Sequence, residues 1–249
     1  MQDTESPTAE PTVETHAPLT WHAGDMPYSP AFSDHFYCRE DGRAECGHVF
    51  LAGNGLPERW QAPRPFAIGE LGFGTGLNFC ETLRQWRLTK VTGASLSFTS
   101  FERYPMTTEE IGRALSRWPE IDRERQELVA CWPATPSGHV TLTFADDVTL
   151  TVVCGDVLET LPAWQAPMDA WYLDGFAPSR NPAMWSIETL TRVHDRTRRG
   201  GRFGTYAAAG FVRRNLQAAG FAVERRKGYA GKREMLCGER PSSPPLVVD

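Results

Sequence analysis

The stretch of sequence best suited to binding a ligand is an acidic residue followed by three alternating glycines. Residues 66–77 read Phe-Ala-Ile-Gly-Glu-Leu-Gly-Phe-Gly-Thr-Gly-Leu, so Glu70 ends an apolar run and is followed by Gly72, Gly74 and Gly76. Glycine tolerates positive φ and lets a backbone approach a ligand closely, and the helix that follows offers unpaired N–H groups at its N-terminus. The pattern predicts a strand, a tight turn and a helix that bind a nucleoside cofactor. A glycine-rich turn without a ligand is the alternative.

The spacing of these glycines distinguishes between two kinds of nucleoside cofactor. The dinucleotide fingerprint Gly-x-Gly-x-x-Gly would require its third glycine at the position that Leu77 occupies. The observed order is instead Glu-x-Gly-x-Gly-x-Gly. It therefore favours S-adenosylmethionine over NAD.

Three more acidic residues lie at the ends of predicted strands. Glu102 ends the strand after the glycine turn, Asp156 follows a strand that ends at residue 154, and Asp174 follows the strand at 168–173. In a doubly wound sheet the ligand crevice lies at the carboxyl ends of the strands. We therefore expect these three acids to converge with Glu70 at one edge of the sheet.

Each of these acids has a binding interpretation and a structural alternative. Glu102 is positioned to accept both ribose hydroxyls of a nucleoside, or is an exposed acid at a strand end. Asp156 can accept the adenine amino group or cap a short helix that starts near Val157, and the sequence leaves both open. Asp174 is the acid on which the functional hypothesis centres, and its alternative is a turn-capping role.

The remaining pattern predicts strands that alternate with helices and end in an antiparallel pair. The predicted strands cover residues 35–37, 48–51, 66–70, 95–102, 140–144, 148–154, 168–173, 201–208, 221–225 and 234–237. The predicted helices cover residues 77–86, 108–118, 119–131, 186–196 and 211–219, and Thr107 is expected to cap the second of them. This alternation is typical of a three-layer α/β domain.

Length and composition favour one main domain in a reducing compartment. The chain has 249 residues, 41% of them hydrophobic, and none of its six cysteines forms a Cys-x-x-Cys pair or lies at zinc spacing to histidine. No signal peptide and no apolar run of membrane-spanning length is present. We expect a soluble, cytoplasmic protein without a metal site.

We predict a disordered acidic tail at 1–19, an extension at 20–62 packed on the core, the main domain at 63–240 and a flexible tail at 241–249.

The charge of the chain is divided unevenly along its length. The formal net charge is −5, yet residues 1–19 carry four acids and no Lys or Arg. Residues 192–240 carry 13 Lys or Arg residues against four acids, a net charge of +9. Such a cationic segment suits phosphate binding, although a solvated helical face would be charged as well.

Several long strings of residues resemble the methyltransferase domain of the MnmC family of bacterial tRNA wobble-uridine modification enzymes, which includes the stand-alone form MnmD. The resemblance covers roughly residues 20–238. It is carried by the segments 49–54, 70–79, 169–178, 181–182, 184–185, 209–214, 227–228 and 232–238, which include Glu-Leu-Gly-Phe-Gly-Thr-Gly-Leu-Asn-Phe and Asp-Ala-Trp-Tyr-Leu-Asp-Gly-Phe-Ala-Pro.

The resemblance implies a fold, a cofactor and a reaction. It implies a Rossmann-like class I methyltransferase with a seven-stranded, mostly parallel sheet and a terminal antiparallel strand. The implied reaction is the S-adenosylmethionine-dependent N-methylation of 5-aminomethyl-2-thiouridine at the tRNA wobble position to 5-methylaminomethyl-2-thiouridine. Because no second glycine-rich fingerprint for an FAD-dependent oxidase occurs, we expect methyl transfer only, with the aminomethyl substrate supplied by a separate enzyme.

The resemblance also assigns roles to individual residues. Methyl transfer to an amine requires a neutral nitrogen, so Asp174 is the candidate catalytic residue that accepts a proton from the amine. The expected cofactor ligands are Glu70, Gly72, Gly74, Thr75, Gly76, Asn78, Glu102, Asp156 and Asp174. The expected stacking partners of the substrate base are Phe176, Trp185 and Tyr206, with core packing the better interpretation for at least one of them. The expected tRNA phosphate contacts are Arg213, Arg214, Lys227, Lys232 and Arg233.

Two other functions are compatible with these residues. A methyltransferase of the same fold could act on a small-molecule or protein amine. A nucleoside-binding module without catalysis would retain Glu70 and Glu102 but would tolerate loss of the Asp174 carboxylate.

Overall fold

The computed structural model describes residues 17–242, which form an α/β/α sandwich around a twisted sheet. The strands are β1 (Thr20–His22), β2 (Met26–Ser29), β3 (Asp34–His35), β4 (Pro65–Leu71), β5 (Ser95–Glu102), β6 (His139–Phe144), β7 (Val148–Cys154), β8 (Met168–Leu173), β9 (Thr197–Thr205), β10 (Ala222–Lys227) and β11 (Glu234–Glu239). The α-helices are α1 (Gly42–Cys46), α2 (Leu77–Thr89), α3 (Thr108–Leu115), α4 (Asp122–Cys131), α5 (Val157–Ala163), α6 (Ile187–Asp195) and α7 (Gly210–Ala218).

The main sheet has the strand order β10-β11-β9-β8-β4-β5-β7-β6. Strands β9, β8, β4, β5 and β7 are parallel, whereas β6 pairs antiparallel with β7, and β11 pairs antiparallel with both β9 and β10. The chain passes from β4 through β5 to β7 on one side and returns to β8 on the other side of β4. The strand order therefore reverses between β4 and β8, where ligands bind in folds of this type.

The expectation of seven strands is wrong by one, because the described sheet has eight. Both arms of the hairpin β6–β7 join the sheet, and β6 forms its edge. A second difference concerns β9, which covers Thr197–Thr205, whereas the prediction placed this strand at 201–208. The N–H of Gly200, at a φ of +71°, donates to the carbonyl of Arg240, so this glycine lies within the sheet region.

Two hydrophobic cores lie on opposite faces of the main sheet. One core packs α2, α3 and α4 against the sheet, and its buried side chains include Phe79 and Trp86. The other core packs α5, α6 and α7 against the opposite face, and its buried side chains include Trp171 and Leu190. The two layers hold the strands rigidly, so the side chains at the strand ends have fixed positions.

The segment before β4 adds a small antiparallel sheet, β1 to β3, and a helical run from 42 to 54. The prediction of a strand at 48–51 is wrong: α1 continues there as a π-helical turn, Gly47–Leu51. The turn buries three consecutive apolar side chains, of Val49, Phe50 and Leu51, against the core, which a half-exposed strand could not do. The predicted strand at 35–37 is present only as the two-residue β3.

The predicted tails at 1–19 and 241–249 lie largely outside the described residues. Within the first of them, Leu19 packs half-buried against the core that contains α2. The domain boundaries at 20, 63 and 240 stay predictions. Across residues 17–242, no helix has the length and apolar character needed to cross a membrane.

Candidate active site

The glycine turn after β4 adopts a backbone that only glycine takes without strain. Gly72, Gly74 and Gly76 have φ values of +83°, +53° and +78°, so the conformational reason for the glycines is confirmed. A Cβ atom on Gly72 would lie 3.3 Å from the Cα of Gly175, and one on Gly74 would lie 3.2 Å from Cδ1 of Phe36. Both glycines line a cavity, and side chains at these positions would fill it.

Two acids from neighbouring strands share one amide donor at the floor of this cavity. The Asn78 side-chain nitrogen donates to Oε1 of Glu70 at 3.0 Å and to Oδ2 of Asp174 at 2.8 Å. The Ser100 hydroxyl donates to the other oxygen of Glu70 at 2.6 Å. Glu70 is fully buried, whereas Asp174 is half-buried and faces the cavity.

The environment of Asp174 makes its carboxyl group a weak acid. Burial raises the pKa of Asp174 to about 7, while hydrogen bonds from the Gly175 N–H and the Asn78 amide act in the opposite direction. Burial likewise raises the pKa of Glu70 well above its usual range. A carboxyl group with a pKa near 7 exchanges protons readily at neutral pH, which is the property required of a general base.

Glu102 and Asp156 occupy the neighbouring strand ends. Oε2 of Glu102 accepts the Gly74 N–H at 2.9 Å and Oε1 accepts the Tyr104 N–H at 2.8 Å, so this acid fixes the glycine turn. The backbone N–H groups of Arg103 and Phe73 also act on this carboxylate, which lines the cavity. Asp156 caps α5 through the Leu158 N–H at 2.9 Å and pairs with Arg103 at 3.0 Å. The capping role of Asp156 is thus observed.

The loop after β8 is held by groups from two other parts of the chain. Phe176 stacks on Phe32 with ring centres 4.5 Å apart, and the Asp34 carboxylate accepts the Ala177 N–H at 2.9 Å. The Tyr206 hydroxyl donates to the Gly175 carbonyl at 2.5 Å. The loop that begins with Asp174 is therefore clamped by the N-terminal extension on one side and by the residue after β9 on the other.

The carbonyls of this loop already accept hydrogen bonds. The Phe176 carbonyl accepts from the indole of Trp185 at 3.1 Å, and the Ala177 carbonyl accepts from the N–H groups of Arg180 and Asn181. These carbonyl oxygens are engaged and are not basic, whereas the Asp174 carboxylate can both accept a hydrogen bond and take up a proton.

The cavity that these residues surround has a volume of about 530 Å³. Three of the four strand-end acids line it, namely Glu102, Asp156 and Asp174, whereas Glu70 is fully buried and does not line it. The cavity is also lined by an ion pair, Glu45 and Lys232, whose charged atoms lie 2.7 Å apart. Glu45 and Asp34, both from the extension, were missed by sequence reasoning. No motif marks them, because only the packing of the extension brings them to the cavity.

The predicted substrate residues occupy different surroundings. Phe176 and Tyr206 line the cavity, whereas Trp185 is fully buried and does not reach it. Core packing therefore accounts for Trp185, which the sequence interpretation allowed for one of the three aromatic residues. Four of the five predicted phosphate contacts are exposed, namely Arg214, Lys227, Lys232 and Arg233, and Arg213 is half-buried. Of these five, Lys232 also lines the cavity.

Thr75 completes the predicted cofactor set and is buried within the glycine turn. The described residues contain no cluster of three or more His, Cys, Asp or Glu side chains suited to a metal ion.

Comparisons of the sequence with known proteins show similarity to methyltransferases. Residues 119–241 match a family described as S-adenosyl-L-methionine-dependent methyltransferase. The "tRNA 5-methylaminomethyl-2-thiouridine biosynthesis bifunctional protein MnmC" of Caulobacter vibrioides is 42% identical over 237 residues, which is 95% of this chain and 40% of that protein. The protein of the same name from Pseudomonas aeruginosa is 42% identical over 233 residues, which is 92% of this chain and 36% of that protein.

A solved structure supports the fold. The crystal structure of MNMC2 from Aquifex aeolicus matches with a TM-score of 0.71 at 20% identity, covering 94% of this chain and 74% of that one. At this level of identity the match concerns the fold alone. The chain spans about two fifths of the length of the MnmC proteins named above.

The main sheet has the fold of a Rossmann-like methyltransferase, and residues 119–241 match the S-adenosyl-L-methionine-dependent methyltransferase family. The family and the fold imply S-adenosylmethionine as its cofactor. The chain is homologous to the methyltransferase part of the MnmC proteins, as the sequence resemblance indicated.

Proposed function

We propose that this protein transfers a methyl group from S-adenosylmethionine to the primary amine of 5-aminomethyl-2-thiouridine at the wobble position of tRNA. The observation that carries the proposal is Asp174, a cavity-facing carboxyl group with a pKa raised to about 7 and joined through Asn78 to the cofactor crevice. The tRNA substrate is proposed because the homologous proteins bear the names given above.

The donor set around the glycine turn fits a nucleoside cofactor. When bound, S-adenosylmethionine supplies an electrophilic methyl group on a sulfonium sulfur. The Glu102 carboxylate lines the cavity as an acceptor for the ribose hydroxyls, and Gly72 and Gly74 keep the adjoining backbone free of side chains. The remaining proposed ligands that line the cavity are Thr75, Asn78, Asp156 and Asp174. Glu70 and Gly76 do not line it, so for these two expected ligands we propose a positioning role, with Glu70 holding Asn78 and Gly76 shaping the turn. For Asp156, a contact with the adenine amino group would add to its capping role.

The proposed role of Asp174 is to remove a proton from the substrate amine. An aliphatic amine near pH 7 is mostly an ammonium ion and has no lone pair with which to attack. The carboxylate of Asp174 accepts an N–H of the amine, orients the nitrogen and takes the proton. The amine lone pair then forms the N–C bond as the methyl carbon–sulfur bond breaks, and the proton held by Asp174 passes to solvent.

Charged and aromatic residues around the cavity are proposed to hold the tRNA. Arg213, Arg214, Lys227 and Arg233 provide positive charge for phosphates, in the segment with a net charge of +9. Phe176 and Tyr206 present aromatic rings at the cavity for a wobble base, which is unpaired in free tRNA and can be splayed out at low cost.

The experiment that tests the proposal is transfer of labelled methyl from S-adenosylmethionine to bulk tRNA from cells that lack this activity, followed by nucleoside analysis. We expect label in 5-methylaminomethyl-2-thiouridine with wild type and with Asp146→Asn, an exposed acid in the β6–β7 turn, but not with Asp174→Asn. Cofactor binding without any label in tRNA would reject the tRNA substrate and favour a small-molecule or protein amine.

A further inference from the structure

An ion pair between one buried and one exposed residue lines the same cavity as Asp174. The carboxylate of Glu45, on α1, is 2.7 Å from Nζ of Lys232, in the turn between β10 and β11. Glu45 is only 8% exposed, and both residues line the cavity. The Lys232 Nζ also lies 4.2 Å from the centre of the Tyr206 ring, so its position is fixed by two contacts.

Both residues of this pair line the same cavity as Asp174 and lie near enough to act on its carboxyl group. The charge of Glu45 raises the pKa of Asp174 and the charge of Lys232 lowers it, so both act on Asp174 electrostatically. The two residues come from segments 187 positions apart in the sequence. A buried carboxylate is costly unless it is paired, and here its partner comes from an exposed turn.

We propose that Glu45 and Lys232 together recognise the uracil ring of the substrate, with Glu45 accepting the N3–H and Lys232 donating to O4. This inference rests on the proposed function and specifies how the same cavity selects its base. A carboxylate acts only as an acceptor when ionised, and an ammonium group acts only as a donor. A neighbouring acceptor and donor match the neighbouring N3–H and O4 of uracil.

The position of the reactive group supports this orientation. In a 5-aminomethyluracil the substituted carbon is adjacent to the carbon that bears O4, and N3 follows on the far side of O4. With the amine at Asp174, O4 therefore lies beside the reacting group and N3 one ring position further on, within a cavity that Glu45 and Lys232 also line. Cytosine presents the opposite pattern, an acceptor at N3 and a donor at its amino group, so both contacts would be mismatched.

The test compares two anticodon stem-loops that carry 5-aminomethyl-2-thiouridine at the wobble position, one unmodified at N3 and one methylated at N3. We expect wild type to methylate the N3-methyl substrate with a kcat/KM about tenfold or more lower, because Glu45 loses its donor. In Glu45→Ala that ratio should fall to about 1, since the acceptor is gone. A merely structural role would lower both rates and leave the ratio unchanged, which would overturn the proposal.

A second variant tests Lys232, whose exposed position makes misfolding of the variant less of a concern than at the buried Glu45. Lys232 is on an exposed turn. Sulfur is a weaker hydrogen-bond acceptor than oxygen, so wild type should have a higher kcat/KM for the base with oxygen at position 4 than for its 4-thio analogue, and Lys232→Met should reduce this ratio. An unchanged preference would contradict the assigned contact. Glu109→Ala, an exposed acid on α3, is the matched control and should keep both ratios of the wild type.

The two proposals fail in different ways. If wild type does not methylate the stem-loop with an unmodified N3, the proposed function is wrong. If wild type methylates it but does not discriminate against the N3-methyl substrate, the proposed function stands and the uracil-reading pair is rejected. Isothermal titration with S-adenosylmethionine should give the wild-type affinity for both variants, because neither residue belongs to the proposed cofactor set.

Discussion

The side-chain nitrogen of Asn78 lies 2.8 Å from the Asp174 carboxylate and donates one of its two hydrogens to it. The other hydrogen goes to Glu70, 3.0 Å away. One amide thus connects the acid at the end of β4 with the acid that follows β8, across the point where the strand order reverses. The cofactor crevice and the proton acceptor are held in one hydrogen-bond network.

We expect Asn78→Ala to reduce methyl transfer by about 10- to 100-fold, because a hydrogen bond to a charged group contributes roughly 1.5–3 kcal/mol. The Asn78 bond lowers the pKa of Asp174, so its loss should move the acidic limb of the kcat/KM profile to higher pH. The measurement is the pH dependence of kcat/KM with saturating cofactor.

The matched control for this variant is Gln165→Ala, which removes an exposed amide between α5 and β8. It should retain the wild-type pH profile. A profile of Asn78→Ala with lower amplitude but an unshifted acidic limb would contradict the direct contact between the amide and Asp174.

A second prediction concerns stability rather than activity. Burial raises the pKa of Asp174 from 3.8 to about 7, so between these values the native state binds a proton that the unfolded state has lost. Stability attributable to this group is therefore present below about pH 4 and declines as the pH rises toward 7. We expect Asp174→Asn to be more stable than wild type by about 1 kcal/mol or more at pH 8, with a smaller difference near pH 4.

Denaturant unfolding of wild type and Asp174→Asn at several pH values measures this difference. Asp146→Asn again serves as the control and should track wild type at every pH, since Asp146 is exposed in a turn. A stability difference for Asp174→Asn that does not change with pH would show that Asp174 is not desolvated as described.

Much of the fold could be predicted because its signals are local. The bounds predicted for β5 and β8 match the structure, and the predicted cap at Thr107 forms a capping box with Glu110. Strand-end acids were also predictable, since the carboxyl ends of parallel strands meet at one edge. Apolar alternation, capping residues and glycine spacing depend on a few neighbouring residues, which the sequence displays directly.

The errors arose where tertiary contacts decide the outcome. The apolar residues 48–51 resemble a strand but form a helical turn, because three of them are buried together beneath the sheet. The Val49 carbonyl lies 2.3 Å from where a Cβ on Gly204 would be, so this helical turn approaches β9 closely. The roles of Glu45 and Asp34 were missed for the same reason: their partners, Lys232 and the Ala177 N–H, are distant in sequence.

A third prediction tests the glycine turn. Gly74→Ala forces a side chain into positive φ and brings a Cβ to 3.2 Å from Phe36, so we expect it to weaken S-adenosylmethionine binding at least about tenfold. Isothermal titration measures the affinity. The matched control is Gly112→Ala on α3, where the new Cβ would meet only an ordinary contact at 3.6 Å from Val129.

The control should bind the cofactor like wild type and be slightly more stable, because alanine is favoured over glycine within a helix by roughly 0.5–1 kcal/mol. Equal cofactor affinity for Gly74→Ala and wild type would remove the glycine turn from the proposed cofactor site.

The last prediction concerns the basic residues outside the cavity. Arg214→Ala and Arg233→Ala should each weaken tRNA binding and reduce the slope of log affinity against log salt concentration by about 0.7–0.9, the effect of losing one phosphate contact. The loss should be similar for different tRNA sequences, since phosphates carry no base identity. Arg123→Ala provides the control, because Arg123 is a 73% exposed arginine on α4 that already pairs with Glu127. If Arg214→Ala and Arg233→Ala both show the wild-type salt slope, the tRNA lies on a different face, and the positive charge of the C-terminal segment serves only solvation.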